Sequence, residues 1–272
     1  MHNPFVPETL EGWSLLHLMY RVRWDRLRDV PAADRERLAD EAVRALAVPD
    51  AGSTAFVQVL GHKADLMVIC FRRGFEQLSQ AQLALSRTGL HDVLEATSSY
   101  VSIVELGMYE MTAKMHEQLG ARHKPGSDEF EQAFDGEMET QRQRVMSRLF
   151  LDLPQARYVC FYPMNKRRGE AHNWYSETFE RRAAMMREHG MIGRTYAGKV
   201  TQVISVSIGY DDWEWGVDLF AADPIVFKKL IYEMRFDEAS AKFAEFGPFY
   251  TGLQFAPAQL SAFLNGSVPQ LS

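Results

Sequence analysis

The fold is decided by a pattern that is clearest in residues 204–220, which read ISVSIGYDDWEWGVDLF. Two β-rich runs flank the turn residues Gly209 to Asp212, so this stretch predicts a β-hairpin. Residues 57–71, which read VQVLGHKADLMVICF, have the same design around Gly61 to Lys63. In both places a phenylalanine leads into a helix soon afterwards. One pattern at two positions in a chain indicates a tandem repeat.

Strand and helix signals on either side of each hairpin complete the repeated unit. In the second repeat we predict strands over 156–163, 200–208, 213–220 and 249–255, and helices over 172–188 and from 224 onward. In the first repeat we predict strands over 13–24, 54–60, 64–71 and 100–106, and helices over 31–46 and 75–86. The order β-α-β-β-α-β is that of the ferredoxin-like unit. The predicted fold class is therefore α+β, a dimeric α+β barrel made of two tandem ferredoxin-like repeats.

The chain divides into three parts on this interpretation. Residues 1–106 form the N-terminal ferredoxin-like half, and residues 155–272 form the C-terminal half. Residues 107–154 form a linker, in which a polar, turn-rich stretch precedes a helical run from Glu129 to Leu149. We expect that helix to dock against the barrel.

Composition sets the broad class of the protein. Of the 272 residues, 46% are hydrophobic and 24% are charged, which is typical of a soluble globular protein. No apolar run reaches the roughly 18 to 20 residues that a membrane-spanning helix needs, and the first residues lack a signal-peptide pattern. We therefore expect a cytoplasmic protein without a membrane span. Cys70 and Cys160 both lie in apolar runs, where buried reduced thiols are expected.

Charge is distributed unevenly along the chain. The net charge of −6 argues against general nucleic-acid binding. Residues 142–200, however, contain 12 Lys or Arg and 5 Asp or Glu. This basic segment either binds an anion or forms solvated helix faces, and charge alone leaves both interpretations open.

Common catalytic motifs are missing from the sequence. It contains no P-loop, no glycine-rich dinucleotide motif, no GxSxG elbow, no HExxH and no CxxC. Its eight histidines are not spaced as metal-ligand pairs. Nucleotide-binding, hydrolase and multi-histidine metal sites are therefore disfavoured.

His189 stands apart from the other histidines by its setting. It follows Met185 and Met186 at i−4 and i−3 in RRAAMMREHGMIGR, residues 181–194, near the predicted end of a basic helix. One interpretation is a protonated histidine stabilised by the helix dipole. The other is an axial ligand of haem iron, facing an apolar slot formed with the methionines. The local sequence does not choose between them.

A second candidate cluster lies in FYPMNKRRGE, residues 161–170. Tyr162 and Lys166 are four residues apart across a proline, so we expect the strand to end between them and both side chains to turn toward one opening. Met164 lies between them. The cluster is either a strand end with a solvated basic run, or a phenol that donates an electron and proton beside an ammonium group that neutralises a carboxylate.

Five separated stretches resemble, in order, the coproheme decarboxylases of the chlorite dismutase family. The resemblance is specific over about 100 C-terminal residues and looser over the N-terminal 150. The stretches are YPMNKRRGEAHNWY (162–175), ERRAAMMREHGMIGR (180–194), GKVTQVIS (198–205), DDWEWGVDLF (211–220) and YEMRFDEASAKFAEFGPFY (232–250).

The resemblance implies a peroxide-dependent oxidoreductase of haem biosynthesis. Its substrate and redox centre would be Fe-coproporphyrin III (coproheme), its oxidant hydrogen peroxide and its product haem b. Two propionates, at ring positions 2 and 4, would become vinyl groups in turn, in the last step of the coproporphyrin-dependent route. The resemblance also implies a homopentamer with one porphyrin in each C-terminal half, and coproporphyrin ferrochelatase as a candidate partner.

The resemblance assigns roles to seven side chains. His189 matches the proximal iron ligand, Tyr162 the catalytic tyrosine, Lys166 the lysine that assists at the second propionate, and Met164 a methionine at the porphyrin edge. Arg148 and Ser240 match residues that bind propionates, and Gln202 matches the distal residue above the iron. Chlorite dismutases carry an arginine at that distal position, so Gln202 disfavours chlorite chemistry. A peroxidase on the same barrel, or a haem carrier without turnover, remains the alternative.

Overall fold

A computed structural model describes residues 2–48 and 51–272 and shows a mixed α+β fold built on one antiparallel sheet. The strands of the first repeat are β1 (Thr9–Val22), β2 (Ser53–Val59), β3 (Leu66–Arg72) and β4 (Leu94–Gly107). Those that follow are β5 (Tyr158–Lys166), β6 (Thr201–Val206), β7 (Trp215–Ala221), β8 (Ala244–Phe246) and β9 (Tyr250–Phe255).

Helices connect the strands and cover the outside of the sheet. They are α1 (Trp24–Leu27), α2 (Ala32–Ala45), α3 (Phe75–Ser86), α4 (Tyr109–Gly120), α5 (Asp128–Leu149), α6 (Phe179–Thr195), α7 (Ile225–Met234), α8 (Glu238–Phe243) and α9 (Leu260–Leu264). Short 3₁₀ turns occur at Gly89–Val93, Trp174–Ser176 and Pro257–Gln259. Within residues 2–48 and 51–272, no helix combines the length and the apolar character that crossing a membrane requires.

The sheet closes into a barrel. Its strand order is β7-β6-β4-β1-β3-β2-β9-β5-β8, and an additional β5–β7 pairing closes the circle. The first repeat contributes the order β4-β1-β3-β2 and the second contributes β9-β5-β7-β6, which is the same order in corresponding strands. The β2–β9 and β4–β6 pairings join the two repeats. The predicted α+β barrel of two ferredoxin-like repeats is confirmed.

Strand alternation separates an inner from an outer face, because successive side chains of a strand point to opposite sides. On β5, Val159 and Phe161 belong to the apolar cluster inside the barrel. Cys160 and Tyr162 belong to a different cluster, which packs with α7 on the outer face. This outer face of the second repeat is where the candidate residues lie.

The equivalent outer face of the first repeat is filled with apolar side chains. Leu16, Leu18 and Tyr20 of β1 pack there against α2 and α3. Helix α9, near the end of the sequence, adds Leu260 and Phe263 to the same cluster. The first repeat is therefore packed solidly where the second repeat carries polar and redox-active groups.

Two boundaries in the second repeat differ from those expected. Strand β5 does not stop at Pro163 but continues to Lys166. The proline is tolerated because it loses only a donor, and its carbonyl still accepts a hydrogen bond from Gly247 N at 2.9 Å. Helix α6 begins only at Phe179, where the Thr178 side chain accepts from Arg181 N.

The C-terminal end of α6 also differs from the prediction. The helix continues through Gly190 to Thr195, so His189 lies inside it and not in its last residues. Glycine costs a helix interior only about 1 kcal/mol, which packing can offset. The interpretation of His189 as a helix-terminal charge loses its geometric basis.

The linker contains a helix that the sequence analysis missed. Helix α4 (Tyr109–Gly120) packs through Met115 against Phe130 and Phe134 of α5. Met111, Met115 and Leu119 recur four apart, which is a helical spacing, but the turn-rich residues that follow them led us to expect a loop. The predicted α5 is present, with the Ser127 hydroxyl accepting from Phe130 N at its start.

Two glycines provide a matched test of the barrel packing. A methyl group at Gly216 of β7 would lie 2.5 Å from Tyr100 Cε1 and 3.0 Å from Ser205 Oγ, whereas one at Gly136 of α5 would meet no atom within 4 Å. We expect Gly216→Ala to lower the free energy of unfolding by about 1 to 3 kcal/mol. Gly136→Ala should raise it by about 0.5 to 1 kcal/mol. Urea unfolding checks both, and equal effects would contradict the packing described.

Candidate functional site

Three of the predicted residues form a row on the outer face of β5. Tyr162, Met164 and Lys166 are separated by two residues each within one continuous strand, so they point to the same side at intervals of about 6.6 Å. The expectation that the chain turns between Tyr162 and Lys166 is wrong. Alternation along the strand brings the two side chains to one surface instead.

Tyr162 is enclosed by aromatic rings. Its side chain is 6% exposed and stacks on Phe249, with ring centroids 4.6 Å apart and an interplanar angle of 26°. The ring of Phe246 lies 5.8 Å away. Burial raises the pKa of the Tyr162 phenol, so the group stays protonated at neutral pH. A protonated phenol can release an electron and a proton together.

A residue of the first repeat supports this aromatic stack. Lys63, in the turn between β2 and β3, donates to the carbonyl oxygen of Phe249 at 2.7 Å. The contact fixes the loop between β8 and β9, which carries the ring that covers Tyr162. The first repeat therefore takes part in shaping the site of the second.

Lys166 is a half-buried cation. Its Nζ lies 4.4 Å from the ring centroid of Trp174, which is 3% exposed, in cation–π geometry. Burial lowers the pKa of Lys166 to about 8, and the negative charge of Asp237 opposes that shift. Its backbone N–H donates to Glu214 Oε2 at 3.4 Å. No carboxylate of the described residues forms an ion pair with Lys166, so its charge is left for an anionic ligand.

His189 is oriented by a buried carboxylate. Its Nδ1 lies 2.9 Å from Asp237 Oδ2, and the Asp237 side chain is fully buried while that of His189 is 29% exposed. The carboxylate can only accept, so Nδ1 carries the proton in this pair. The lone pair of the neutral ring is then on Nε2, which has no hydrogen-bond partner among residues 2–48 and 51–272. This is the arrangement of a metal-binding imidazole.

Asp237 holds two elements at once. Its Oδ1 accepts from Ser240 N at 2.8 Å and so caps helix α8, while its Oδ2 accepts from His189. Burial alone would raise the pKa of Asp237, but the hydrogen bonds from His189 and Ser240 outweigh it and the pKa is lowered. Asp237 was not predicted from the sequence. The signal was an N-cap pattern, aspartate three residues before Ser240, at the start of a helix too short to be predicted.

Gln202 shares the outer face with Tyr162. It is the partner of Leu219 on β7, and Leu219 is the partner of Cys160 on β5, so the three side chains point the same way. A Cβ at Gly193 of α6 would lie 3.8 Å from Gln202 Nε2. Met234 Cε would lie 3.4 Å from the same position, so the missing side chain at Gly193, one turn after His189, lets the helix approach Gln202 and Met234 closely.

Ser240 and Arg148 are placed differently from the other candidates. The Ser240 hydroxyl donates to Asp237 Oδ2 at 3.2 Å and lies 3.4 Å from His189 Nδ1, so it belongs to the histidine network. Arg148 is exposed near the end of α5, where the next residue, Leu149, packs against Gly12 of β1. Across the described residues, Arg148 forms no hydrogen bond or ion pair. Binding of a propionate by either residue stays a prediction.

The residues present fit an iron porphyrin. A flat ring needs a free imidazole nitrogen for the iron, apolar surface at its edges and cations for its acid groups. His189 offers the nitrogen, Met164 lies in the apolar cluster of the outer face, and Lys166 is a cation that forms no ion pair within residues 2–48 and 51–272. The structure thus defines a closed α+β barrel with a histidine-bearing helix over the outer face of its second repeat.

Comparison with known proteins identifies the family. The sequence profile of the Chlorite dismutase family matches residues 35–255. A coproheme decarboxylase of Staphylococcus saprophyticus is 42% identical over 255 residues, which cover 92% of this chain and 94% of the relative. That of Staphylococcus carnosus is 41% identical over 262 residues, covering 94% and 97%. The chain belongs to the chlorite dismutase family.

Solved structures agree with this assignment. A heme-binding protein from Thermus thermophilus matches with a TM-score of 0.81 and 40% identity, covering 97% of this chain and all of the other. A chlorite dismutase from Candidatus Nitrospira defluvii matches with a TM-score of 0.70 and 17% identity, covering 93% and 95%, which shows the shared fold alone. The chain spans only 41% of a longer relative from Natronomonas pharaonis that is 44% identical over 262 residues.

The burial of Lys166 predicts a pH-dependent stability. Between about pH 8 and its ordinary pKa of 10.5, the folded protein releases the Lys166 proton while the unfolded chain keeps it. The unfolded state then binds more protons, so the free energy of unfolding rises with pH. We expect a rise of about 2 kcal/mol from this group, allowing for its partial exposure.

Urea unfolding of the wild type, Lys166→Met and Lys229→Met at pH 7, 8.5 and 10 measures this effect. Lys229 is an exposed cation on α7 and serves as the matched control. Because buried Tyr and Cys groups with raised pKa lose stability over the same pH range, the effect is read as a difference: from pH 7 to pH 10 the wild type and Lys229→Met should both gain about 2 kcal/mol of unfolding free energy relative to Lys166→Met. Parallel pH profiles for all three proteins would show that Lys166 is not buried as described.

Proposed function

We propose that this chain is a coproheme decarboxylase, which converts two propionates of coproheme into vinyl groups with hydrogen peroxide and so produces haem b. The staphylococcal relatives with that activity match over nearly their whole length. The single observation that carries the proposal is the row of Tyr162, Met164 and Lys166 on β5. It places an oxidisable phenol and an unpaired cation on one surface, as oxidation of a substrate acid requires.

Each decarboxylation balances with one molecule of peroxide. A propionate, one hydrogen peroxide and one proton give a vinyl group, carbon dioxide and two waters. When bound, the iron porphyrin supplies the oxidising equivalents from peroxide. His189 would bind the iron through Nε2, and Asp237 keeps the imidazole in the tautomer and orientation that this requires.

Tyr162 transfers the oxidation to the propionate. Its phenol loses an electron and a proton, and the resulting radical removes a hydrogen atom from the β-carbon, which restores the phenol. Loss of a second electron and of carbon dioxide completes the vinyl group. The aromatic enclosure by Phe249 and Phe246 keeps water away from this radical and limits side reactions.

Lys166 serves the second propionate. It lies about 13 Å along the strand from Tyr162, with Met164 packed at the porphyrin edge between them. Its charge is buried against Trp174, and a carboxylate would compensate for that burial. Capture of an anionic substrate by a protein of net charge −6 depends on such local cations.

Gln202 favours peroxide chemistry over chlorite chemistry at this site. A neutral amide offers no positive charge for an oxyanion, unlike the arginine of chlorite dismutases. A carrier without turnover is the second candidate function, and nothing about a carrier requires a buried phenol in the row with Lys166. The decarboxylase proposal accounts for both residues.

The remaining assignments are proposed on the family resemblance. Arg148 and Ser240 bind propionates, and residues 155–272 hold the porphyrin, with residues 1–106 and 107–154 as N-terminal half and linker. The protein assembles as a homopentamer in the cytoplasm, with coproporphyrin ferrochelatase as a candidate partner.

Tyr162→Phe tests the proposed function most simply. We expect unchanged coproheme affinity, because binding uses charge and the iron bond, and a loss of decarboxylation of at least about 100-fold, because turnover needs the phenolic hydrogen. Tyr158→Phe, four residues earlier on the same face, is the control. Peroxide titration followed by mass spectrometry measures both. Wild-type haem b formation by Tyr162→Phe would overturn the role of the phenol.

A further inference from the structure

Arg235 is a second cation close to Tyr162. Arg235 follows α7, and its guanidinium carbon lies 4.6 Å from the ring centroid of Phe246. The same Phe246 ring is 5.8 Å from that of Tyr162. The guanidinium thus lies on the aromatic enclosure of the phenol. Its positive charge acts on that group, opposing the rise that burial causes in the pKa of Tyr162.

The acidic residues next to Arg235 in the chain are all engaged elsewhere. Glu233 accepts from the Tyr196 hydroxyl at 2.7 Å. Asp237 accepts from His189, and Glu238 accepts from Arg181 and Lys242.

Arg235 therefore keeps its charge free. In the part of the chain that the structure describes, no carboxylate pairs with it. By contrast, Arg181 and Arg187 of α6 each form an ion pair at 2.8 Å or less.

A free guanidinium on an aromatic plate suits a carboxylate ligand. Its planar fork of N–H donors matches the two oxygens of a carboxylate, which a lysine cannot reproduce. Stacking on Phe246 fixes the plane and reduces the side-chain entropy that binding would otherwise cost. Arg235 is an exposed residue, so the ring covers one side of the guanidinium while the other side stays open to a ligand.

We propose that Arg235 binds the carboxylate of the propionate that Tyr162 oxidises. This proposal rests on the proposed function and assigns the residue that selects and positions the first reacting group. Arg235 and Lys166 then serve different propionates, the former at the phenol and the latter at the far end of the row. Anchoring the carboxylate at Arg235 would hold the β-carbon, which is attached to the porphyrin ring, near the phenol.

Binding of two iron-free porphyrins tests the contact without any reaction. Coproporphyrin III carries propionates at the two reacting positions, whereas mesoporphyrin IX has ethyl groups there and keeps the other two propionates. Quenching of tryptophan fluorescence gives both affinities. We expect Arg235→Leu to weaken coproporphyrin III binding about 10-fold, the scale of one charge-assisted hydrogen-bonded pair, and to change mesoporphyrin IX binding less than about twofold.

Three variants make the result specific. Lys229→Leu removes an exposed cation from the same helix region and should change neither affinity. Arg235→Lys should recover part of the charge but not the fork, giving an intermediate loss. Phe246→Leu removes the aromatic ring on which Arg235 stacks and should also weaken binding of coproporphyrin III selectively. Circular dichroism melting confirms that each variant is folded.

Turnover of coproheme provides the second measurement. Arg235→Leu should slow the first decarboxylation, so that unreacted coproheme remains and the three-propionate intermediate does not build up. Lys166→Ala should slow the second step instead, so that this intermediate accumulates. The different intermediates distinguish loss of a carboxylate-binding residue beside Tyr162 from a general loss of surface charge.

The outcomes distinguish this inference from the proposed function. If wild-type protein with peroxide produces no haem b, the proposed function fails. If the wild type reacts but Arg235→Leu binds both porphyrins as the wild type does, or loses affinity for both equally, Arg235 does not hold the reacting propionate. Selective loss for coproporphyrin III supports the assignment.

Discussion

The hydrogen bond between His189 and the buried carboxylate of Asp237 is the contact on which the site depends. It joins α6 to α8, fixes the tautomer of the imidazole and leaves Nε2 free. The same carboxylate caps α8 through Ser240 N, so moving the histidine would disturb a helix end as well. A fully buried charge is costly unless its hydrogen bonds are complete. Asp237 accepts hydrogen bonds from both elements, and these hydrogen bonds lower its pKa despite its burial.

The two repeats show how one backbone plan supports a site in only one half. Both have the same strand order, yet the outer face of the first is packed with Leu16, Leu18 and side chains of α9. The second carries a buried phenol at Tyr162 and a half-buried cation at Lys166. The first repeat still contributes, because Lys63 fixes the loop that bears Phe249. The solidly packed first repeat therefore helps to hold the site residues of the second repeat in place.

The barrel could be predicted because hairpin and helix signals are local and occur twice, as in residues 57–71 and 204–220. The end of β5 could not, since a proline normally ends a strand and only the Gly247 contact shows why Pro163 does not. His189 and Tyr162 were found by their settings and by family resemblance. Asp237 was missed because its partner is 48 residues away, and contacts at such separations depend on tertiary packing that a single sequence does not display.

The central claim is that His189, held by Asp237, binds the iron of coproheme through Nε2. Resonance Raman spectroscopy of the reduced coproheme complex measures the iron–histidine stretch directly. We expect this band to be present in the wild type, to shift to lower frequency in Asp237→Asn as the imidazole becomes a weaker donor, and to disappear in His189→Ala. A band that is unchanged in both variants would contradict it, because the iron would then be bound by another residue.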